Sequence, residues 1–332
     1  MMKKLVVFLA IMTLAFTTTC EATPLKFKFA GHAPVNHQTT KHMQAMANEI
    51  KDRTEGRVEI TVYPSSQLGD YSLNYEEMVR GTLDMELGGL PMELEPRLGI
   101  VYIWGWSADY EILREQLMPG TWLCNKLNEL SSELGVRILG SYNEGLSGIA
   151  STKPLNDPLN PNVDKGVLTR IPIMDVCVEG SKAMGLRSIT LPYPDIYQSL
   201  QTGVIDAAMG LTASVAYQSL GDVIKYWYTY NTHPEYIPIM ISDKSWQKLT
   251  PEDQKVFEEV AGKYSKISIE QSQAEDEKYM KLLEKKGIKV FRYTKDDLKD
   301  HINACRAIWS KLGRTAGLTT ELVEEFKKQL EK

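Results

Sequence analysis

The chain has 332 residues, of which 43% are hydrophobic and 24% are charged, a composition typical of a folded globular protein and not of a disordered one. This length is enough for two domains of ordinary size. The formal net charge of −5 argues against general affinity for nucleic acid or for an anionic membrane surface.

Residues 1–22 have the layout of a secretory signal peptide. Two lysines precede an apolar stretch over residues 5–16, and small and polar residues follow it. The stretch is too short to span a bilayer comfortably, and cleavage after Ala22 fits the preference for small residues at the cleavage site. Anchoring as a lipoprotein through Cys20 is the weaker alternative, because three threonines directly before this cysteine make a poor lipid-attachment site. We therefore expect an exported, periplasmic protein.

Beyond the signal peptide, strand patterns and helix patterns alternate along the chain. Alternating apolar residues over 25–34 and 57–64 predict strands, and apolar residues at helical spacing over 38–56 predict a helix between them. The same alternation of strand and helix patterns recurs over 71–89 and over 136–210. Strands that alternate with helices are typical of α/β domains with mixed or largely parallel sheets flanked by helices.

A long, charged helix is predicted from Thr250 to Lys286. Thr250 is a good N-cap, and Pro251 suits the first turn of a helix. The sequence contains no Pro/Ser-rich linker. Two α/β lobes without a linker indicate that the chain crosses between them more than once.

The cysteines of the chain do not describe a disulfide framework. Cys20, Cys124, Cys177 and Cys305 are thinly spread, and no C-x-x-C pair occurs among them. If Cys20 leaves with the signal peptide, an odd number remains. We expect buried, small apolar side chains, with at most one bridge that the sequence does not assign.

The sequence lacks the common motifs of enzymes. His32, His37 and His42 are five residues apart, which does not place them on one helix face, and no carboxylate pattern completes a metal site. The segment EGLSGI lacks the second glycine of a nucleophile elbow, because Ile149 occupies that position. No phosphate-binding glycine loop is present. We therefore expect a protein that is not an enzyme and uses no cofactor or metal.

Arg170 lies in an unusual place, inside the largely apolar run KGVLTRIPIMDVCVEG at 165–180. A buried guanidinium group without a partner is costly, so this charge needs an anion. The anion is either an internal carboxylate, from Asp175, Glu179 or Asp195, or a group on a bound molecule. The residues alone leave both possibilities open.

Two short segments are rich in aromatic residues. VYIWGWSADY contains Trp104 and Trp106, and IKYWYTYN contains Trp227 and several tyrosines. Such side chains either pack in the core or line an apolar pocket that encloses a small ligand. The pattern is compatible with both.

Several segments together resemble the DctP-type solute-binding proteins of tripartite ATP-independent periplasmic (TRAP) transporters. The segments that carry the resemblance are GRVEITVYPSSQLGD, EEMVRGTLDM, KGVLTRIP, LPYPDIYQSLQTGVIDA and IMISDKSWQKL. The resemblance implies an α/β, type II-like periplasmic binding protein whose two lobes close on an organic acid, with a long helix that crosses the hinge. It also implies the permease subunits of a transporter in the membrane as partners.

We assign discontinuous lobes on the basis of this resemblance. Lobe I comprises residues 23–143 plus about 236–275, and lobe II comprises 144–235 plus about 276–332. We expect a monomer that does not bind nucleic acid.

The resemblance also suggests which residues bind the ligand. Arg170 falls on the family's R-[IV]-P motif, whose arginine typically forms the salt bridge to a substrate carboxylate. Tyr193 falls where an aromatic residue commonly packs on the ligand, and Ile173 and Met174 follow Arg170 into the pocket wall.

The sequence departs from the family where polar contacts are common. Ser147 occupies the position at which family members that bind sugar acids often have a second arginine. Gly210 occupies the position at which an asparagine often helps to bind the ligand carboxylate. Leu87 and Gly89 lie on the predicted edge of the pocket, where family members that bind sialic acid have polar groups.

The absence of these polar contacts determines which ligand we expect. Trp104 and Trp106 correspond to an aromatic wall of the family, and His32 is a further candidate contact. A second buried carboxylate without its own arginine is costly, so we expect a hydrophobic or aromatic monocarboxylate, such as an indole or phenyl 2-oxo, 2-hydroxy or amino acid. The alternatives are a small polar 2-oxo acid or a C4-dicarboxylate as ligand, and a role as the ligand sensor of a membrane kinase.

Overall fold

The computed structural model describes residues 23–107 and 109–331. The predicted signal peptide, with Cys20, lies outside the described residues. No helix in the described part of the chain is both long and apolar enough to cross a bilayer.

The first sheet is built around strands whose side chains alternate between core and solvent. In β1, Phe27 and Phe29 are buried, whereas Lys26 and Lys28, which alternate with them, are exposed, as the alternating sequence predicts. In spatial order the sheet contains β2 (Val58–Tyr63), β1 (Leu25–Gly31), β3 (Met85–Leu87), β12 (Ile239–Ser242) and β4 (Val136–Gly140). Strands β1, β2 and β3 are parallel, whereas β12 runs antiparallel to β3 and β4.

The second sheet contains the strand that carries Arg170. In spatial order its strands are β13 (Lys289–Phe291), β10 (Tyr226–Tyr228), β6 (Gly148–Ser151), β9 (Ala207–Leu211), β7 (Leu168–Ile171) and β8 (Arg187–Thr190). Strand β7 is parallel to β8 and β9, and β6 is antiparallel to β9 and β10. The expected mixed α/β fold is thus confirmed.

Helices cover these sheets. They are α1 (Gln38–Arg53), α2 (Tyr71–Arg80), α3 (Tyr110–Leu117), α4 (Trp122–Glu133), α5 (Asp175–Ala183), α6 (Ile196–Thr202), α7 (Ala213–Leu220), α8 (Asp243–Trp246), α9 (Pro251–Lys285), α10 (Lys299–Ala307), α11 (Leu312–Thr315) and α12 (Thr320–Leu330). Short 3₁₀ helices span Pro96–Tyr102, Tyr193–Asp195 and Trp309–Lys311.

The long helix α9 confirms the expectation from its cap. The Thr250 side chain accepts a hydrogen bond from the Asp253 amide, and Pro251 occupies the first turn. The helix packs against α1 and β4 beside the first sheet and against α7 beside the second. It therefore connects both halves of the fold.

The chain passes between the two sheets more than once, as expected. It leaves the first sheet after β4, returns from the second after β10, and crosses again along α9 to reach β13. The first two crossings pair with each other as an antiparallel ribbon of β5 (Asn143–Leu146) and β11 (Pro234–Tyr236). The exact lobe boundaries given above stay our proposal.

The crossing strand β5 is fastened to α9 by one carboxylate. Oδ2 of Asp276 accepts hydrogen bonds from the Leu146 amide and the Tyr110 hydroxyl. Gly145 has φ +138°, and a Cβ atom there would lie 2.3 Å from that same Oδ2. Glycine is needed at this position both for its backbone conformation and for the close approach.

The cysteines remain unbridged in the described part of the chain. Cys177 and Cys305 are buried and Cys124 is half-buried, all as free thiols. Burial raises the pKa of the Cys177 thiol to about 12, so this group stays neutral at ordinary pH.

We predict that Gly145→Ala destabilises the protein by roughly 3 kcal/mol, because it adds backbone strain and displaces a buried, hydrogen-bonded carboxylate. The matched control is Gly120→Ala. Gly120 also has positive φ (+91°), but nothing lies within 4 Å of a Cβ atom there, so its cost is about 1 kcal/mol. Urea unfolding of both variants measures the difference. Equal losses would contradict the role assigned to the Asp276 contact.

Candidate functional site

A cavity lies between the two sheets, where the carboxyl ends of strands from both sheets meet. Ligands of open α/β folds commonly bind in such crevices. Its volume is about 900 Å³, including the solvent at its mouth. Residues after β1, β2 and β3 face residues at the ends of β7, β8 and β9, and the crossing ribbon of β5 and β11 contributes Glu144 and Glu235.

Arg170 lies on β7 at the wall of this cavity and is only 3% exposed. Its Nε donates a hydrogen bond to the Leu191 carbonyl at 2.9 Å, and one terminal nitrogen donates to the Met209 carbonyl at 3.3 Å. These bonds fix the plane of the guanidinium group. They use two of its five N–H groups and leave the others for a bound molecule.

No internal carboxylate neutralises Arg170. Within the described residues, no Asp or Glu oxygen lies within 4.0 Å of its nitrogens, so the alternative of an ion pair with Asp175, Glu179 or Asp195 is wrong. Burial lowers the pKa of Arg170 to about 10, and Glu235 nearby opposes the shift. The group is still a cation at neutral pH, which makes this wall a site for an anion.

Acidic side chains also line the cavity. Glu86 of β3 accepts a hydrogen bond from the Asn74 amide at 3.0 Å, and burial raises the pKa of Glu86 well above its ordinary value. Burial therefore favours the protonated form of Glu86. Among the described lining residues, Arg170 is the only arginine, and no lysine is present.

Glu144 is ionised and held by groups around it. His32 Nε2 lies 3.5 Å from one oxygen, His37 Nδ1 lies 3.7 Å from the other, and the Thr39 hydroxyl donates to it. Burial raises the pKa of Glu144, but His32 and the Thr39 hydroxyl outweigh burial, and the pKa falls to about 2. Burial likewise lowers the pKa of His32, and Glu144 reverses the direction, so that it lies above its ordinary value.

Glu235 has weaker support, because the nearby Ser147 hydroxyl and Arg170 lower its pKa without outweighing burial. Its Oε1 is buried and has no hydrogen-bond partner among the described residues. The nearest ring nitrogen, Nε2 of His233, is 3.6 Å away, and burial lowers the pKa of His233 to about 3, so this ring is neutral. Burial raises the pKa of Glu235 to about 7, against the lowering influence of Arg170.

Contacts across the cleft close the cavity. The His32 ring, after β1, meets the Tyr193 ring edge-on with centroids 5.0 Å apart. The His37 side chain caps α1, with Nδ1 accepting from the Thr39 amide at 3.3 Å. Its Nε2–H therefore donates to Ser214 Oγ at 3.0 Å, at the start of α7. Both contacts join the side of the first sheet to the side of the second.

The remaining walls are mostly apolar and aromatic. The Tyr71 ring rests on Gly89, where a Cβ atom would lie 3.3 Å from the ring, so a larger residue at 89 would push this ring into the cavity. The lining side chains of this kind are Tyr71, Tyr102, Pro172, Met174, Tyr193, Pro194, Leu211, Val215, Tyr236 and Ile237.

The structure brings six of the predicted site residues to the cavity. Gly210 has φ +82°, and a Cβ atom there would lie 2.8 Å from the Pro172 ring and 3.7 Å from an Arg170 nitrogen, so glycine leaves the guanidinium face open. The lining residues predicted from sequence are His32, Gly89, Arg170, Met174, Tyr193 and Gly210.

Three predicted residues next to the cavity do not line it. Ile173 is 47% exposed on the outside. Leu87 packs in the core beneath the first sheet, because the alternation of a strand directs the preceding residue, Glu86, toward the cavity instead. Ser147 is fully buried behind Gly210 and accepts a hydrogen bond from its amide at 3.2 Å.

Neither Trp104 nor Trp106 lines the cavity. Trp104 stacks on His233 at 4.9 Å, which places it one layer behind the wall. Trp106 meets Phe326 of α12 edge-on at 5.4 Å, and its Nε1 donates to the Val101 carbonyl. These tryptophans, like the buried Trp227, belong to the core.

The acidic groups of the cavity were not predicted from sequence. Glu86 lies in LDMELGG and Glu235 in THPEYIPIM, each a carboxylate inside an apolar run. The criterion that selects Arg170 would also select them. No local signal distinguishes Tyr71 and Tyr102, because their place depends on how the helices pack.

The comparison with known proteins agrees with this fold. The profile of the family described as bacterial extracellular solute-binding protein, family 7 (DctP) matches residues 29–315. The sialic acid-binding periplasmic protein SiaP of Vibrio cholerae is 21% identical over 312 residues, which are 93% of this chain and 94% of that protein.

Solved structures share the fold. A TRAP periplasmic solute-binding protein from a Polaromonas species, bound to D-erythronate, has a TM-score of 0.81 at 21% identity and covers 91% of this chain and 98% of that one. Another, from Ralstonia eutropha with bound (S)-2-acetolactate, has a TM-score of 0.82 at 18% identity, with coverage of 92% and 98%. The chain therefore belongs to the bacterial extracellular solute-binding protein family 7, the DctP family.

Proposed function

We propose that the chain is the periplasmic solute-binding subunit of a TRAP transporter and captures an organic acid through a salt bridge between Arg170 and the ligand carboxylate. The observation that carries the proposal is a buried guanidinium group at the wall of the cavity between the two sheets, with free N–H groups and no internal carboxylate within 4.0 Å in the described chain. A bidentate carboxylate satisfies both its charge and its geometry. The ligands named for the Polaromonas and Ralstonia structures are themselves carboxylic acids.

The body of the ligand is a hydrophobic or aromatic group, as in an indole or phenyl 2-oxo, 2-hydroxy or amino acid. Supporting this proposal are the rings of Tyr71, Tyr102, Tyr193 and Tyr236 at the cavity, together with its aliphatic walls. Burial of a ring against them contributes about 25 cal/mol per Å² of apolar area, and contact between rings adds roughly 1 kcal/mol. The aromatic wall of the cavity therefore consists of these tyrosines and not, as the sequence predicts, of Trp104 and Trp106.

A second carboxylate on the ligand is disfavoured. With Arg170 engaged, it would face Glu144, which is ionised, and Glu235, which is partly ionised. Repulsion and loss of hydration would both oppose its burial. A C4-dicarboxylate is therefore the weaker alternative, and a small polar 2-oxo acid would leave the aromatic walls without a partner.

Binding couples to closure because the cavity takes its walls from both sheets. A ligand that contacts Arg170 on one side and Tyr71 on the other stabilises the closed state by its differential affinity for that state. The His32–Tyr193 contact forms part of the same closed arrangement. The closed protein, a monomer in the periplasm, delivers the acid to membrane permease subunits. A role as ligand sensor for a membrane kinase would use the same closure.

We predict that Arg170→Ala lowers the affinity for the bound acid at least about 100-fold and Arg170→Lys roughly tenfold, because lysine keeps the charge and loses the planar, bidentate geometry. Isothermal titration calorimetry measures both. Arg187→Ala is the control, since Arg187 lies on the neighbouring strand β8 and is 61% exposed. Unchanged affinity in a folded Arg170→Lys and a folded Arg170→Ala would refute the carboxylate anchor.

We predict that phenylpyruvate, indole-3-pyruvate or tryptophan raises the melting temperature by about 5 °C or more at 100 times its dissociation constant, a stabilisation of about 2.7 kcal/mol. Succinate, sialic acid and D-erythronate serve as comparison ligands in the same thermal-shift assay. A rise confined to these three comparison ligands would rule out the hydrophobic or aromatic ligand.

A further inference from the structure

Glu235 is an acidic group of the cavity whose hydrogen bonds are incomplete. It lies on β11, in the ribbon that joins the two sheets, and borders the same cavity as Arg170. Its Oε1 is shielded from solvent yet has no hydrogen-bond donor in the described part of the chain. A buried acceptor without a donor is costly, so a bound molecule that donates to it would gain affinity.

The other acidic groups of the cavity differ from Glu235 in their partners. Glu144 is engaged by His32 and the Thr39 hydroxyl, and Asp70 accepts from the Leu73 amide at the start of α2. Glu86 accepts from Asn74 through Oε1; its Oε2 also lacks a donor among the described residues, but burial raises the pKa of Glu86 well above its ordinary value and favours the protonated form. The charged or titratable groups that influence Glu235 are Glu144, Arg170 and His32, together with the neighbouring, neutral His233.

A ligand carboxylate bound to Arg170 changes the electrostatic environment of Glu235. It neutralises the arginine, which is one of the groups that favour the ionised form of Glu235. A simple acid would then leave Glu235 to take up a proton or to remain as an unpaired buried charge. An ammonium group on the ligand would instead donate a hydrogen bond to the glutamate and balance its charge. A hydroxyl group would supply the hydrogen bond without the charge.

Building on the proposed function, we propose that the ligand is an amino acid whose carboxylate binds Arg170 and whose ammonium group binds the ionised side chain of Glu235. The cavity then contains one cation for the carboxylate and one anion for the amine, and a zwitterion enters without a net change of charge. Glu235 is the residue that distinguishes an amino acid from the 2-hydroxy or 2-oxo acid of the same shape.

The test uses two ligand series that differ only at the second carbon. One consists of tryptophan, indole-3-lactate and indole-3-pyruvate, and the other of alanine, lactate and pyruvate, with both enantiomers wherever the second carbon is chiral. Calorimetry with the wild-type protein is expected to give at least about tenfold tighter binding of the amino member. Glu235→Gln removes the charge and keeps the shape of the side chain. It should lower the affinity for the amino member of each series at least about 30-fold and change the affinity for the hydroxy and oxo members less than about threefold.

Glu86→Gln tests the other incompletely bonded acid of the cavity, because Glu86 Oε2 is also buried without a donor among the described residues. Loss of the preference for the amino member in Glu86→Gln but not in Glu235→Gln would overturn the assignment to Glu235. The control is Glu129→Gln, because Glu129 lies on α4 outside the cavity, is 58% exposed and pairs with Lys126, so the amide should leave all affinities within about threefold. A second readout is proton exchange at pH 7, obtained from calorimetry in two buffers of different ionisation enthalpy. Binding of an oxo acid should take up protons, whereas binding of an amino acid should not, because its ammonium group keeps Glu235 ionised.

The outcomes separate this inference from the proposed function. Tighter binding of the hydroxy or oxo member, with unchanged or improved binding in Glu235→Gln, would overturn the ammonium site and leave the Arg170 anchor intact. A preference for the amino member in the alanine series alone would support the ammonium site and refute the aromatic body. Absence of binding by both series would refute both.

Discussion

The arrangement of the cleft depends on a buried cation that the protein positions without neutralising. Backbone carbonyls at the ends of two neighbouring segments hold the Arg170 guanidinium in place, and no carboxylate of the described chain approaches within the distance of an ion pair. An open, hydrated cleft can solvate this charge, whereas a closed, dry cleft needs an anion beside it. Gly210 keeps the face of the group free of side chains. Binding of an acid and closure are therefore energetically linked.

The crossing ribbon places the opposite charge at the same site. Because β5 and β11 pair where the chain passes between the sheets, Glu144 and Glu235 lie on the connection about which the two halves would move. Glu144 is compensated by His32 of the first half, and the His32 ring also meets Tyr193 of the second. In the proposed function, this connection takes part in binding the ligand as well as in joining the two halves. Asp276 of α9 fastens this ribbon from the other side.

Sequence reasoning is most successful where a local pattern decides the structure. Alternation in β1, the cap of α9 and the charge of Arg170 inside an apolar run are all readable in short windows. It fails where packing between distant segments decides: Trp106 joins the core because Phe326, far along the chain, packs against it. The prediction places Leu87 at the cavity, but its neighbour Glu86 faces the cavity instead. A shift of one residue along a strand turns a side chain from one face of the sheet to the other. Glu86 and Glu235 follow the same rule as Arg170, because each places a charge inside a largely apolar stretch.

The most direct test of the Arg170 anchor is a crystal structure of the protein with the acid that raises its melting temperature most. We expect a closed cleft in which both carboxylate oxygens lie about 2.7–2.9 Å from the Arg170 guanidinium nitrogens, with the rest of the ligand between the tyrosine rings. A ligand carboxylate bound elsewhere in the cavity, with water or a protein carboxylate on Arg170, would contradict it.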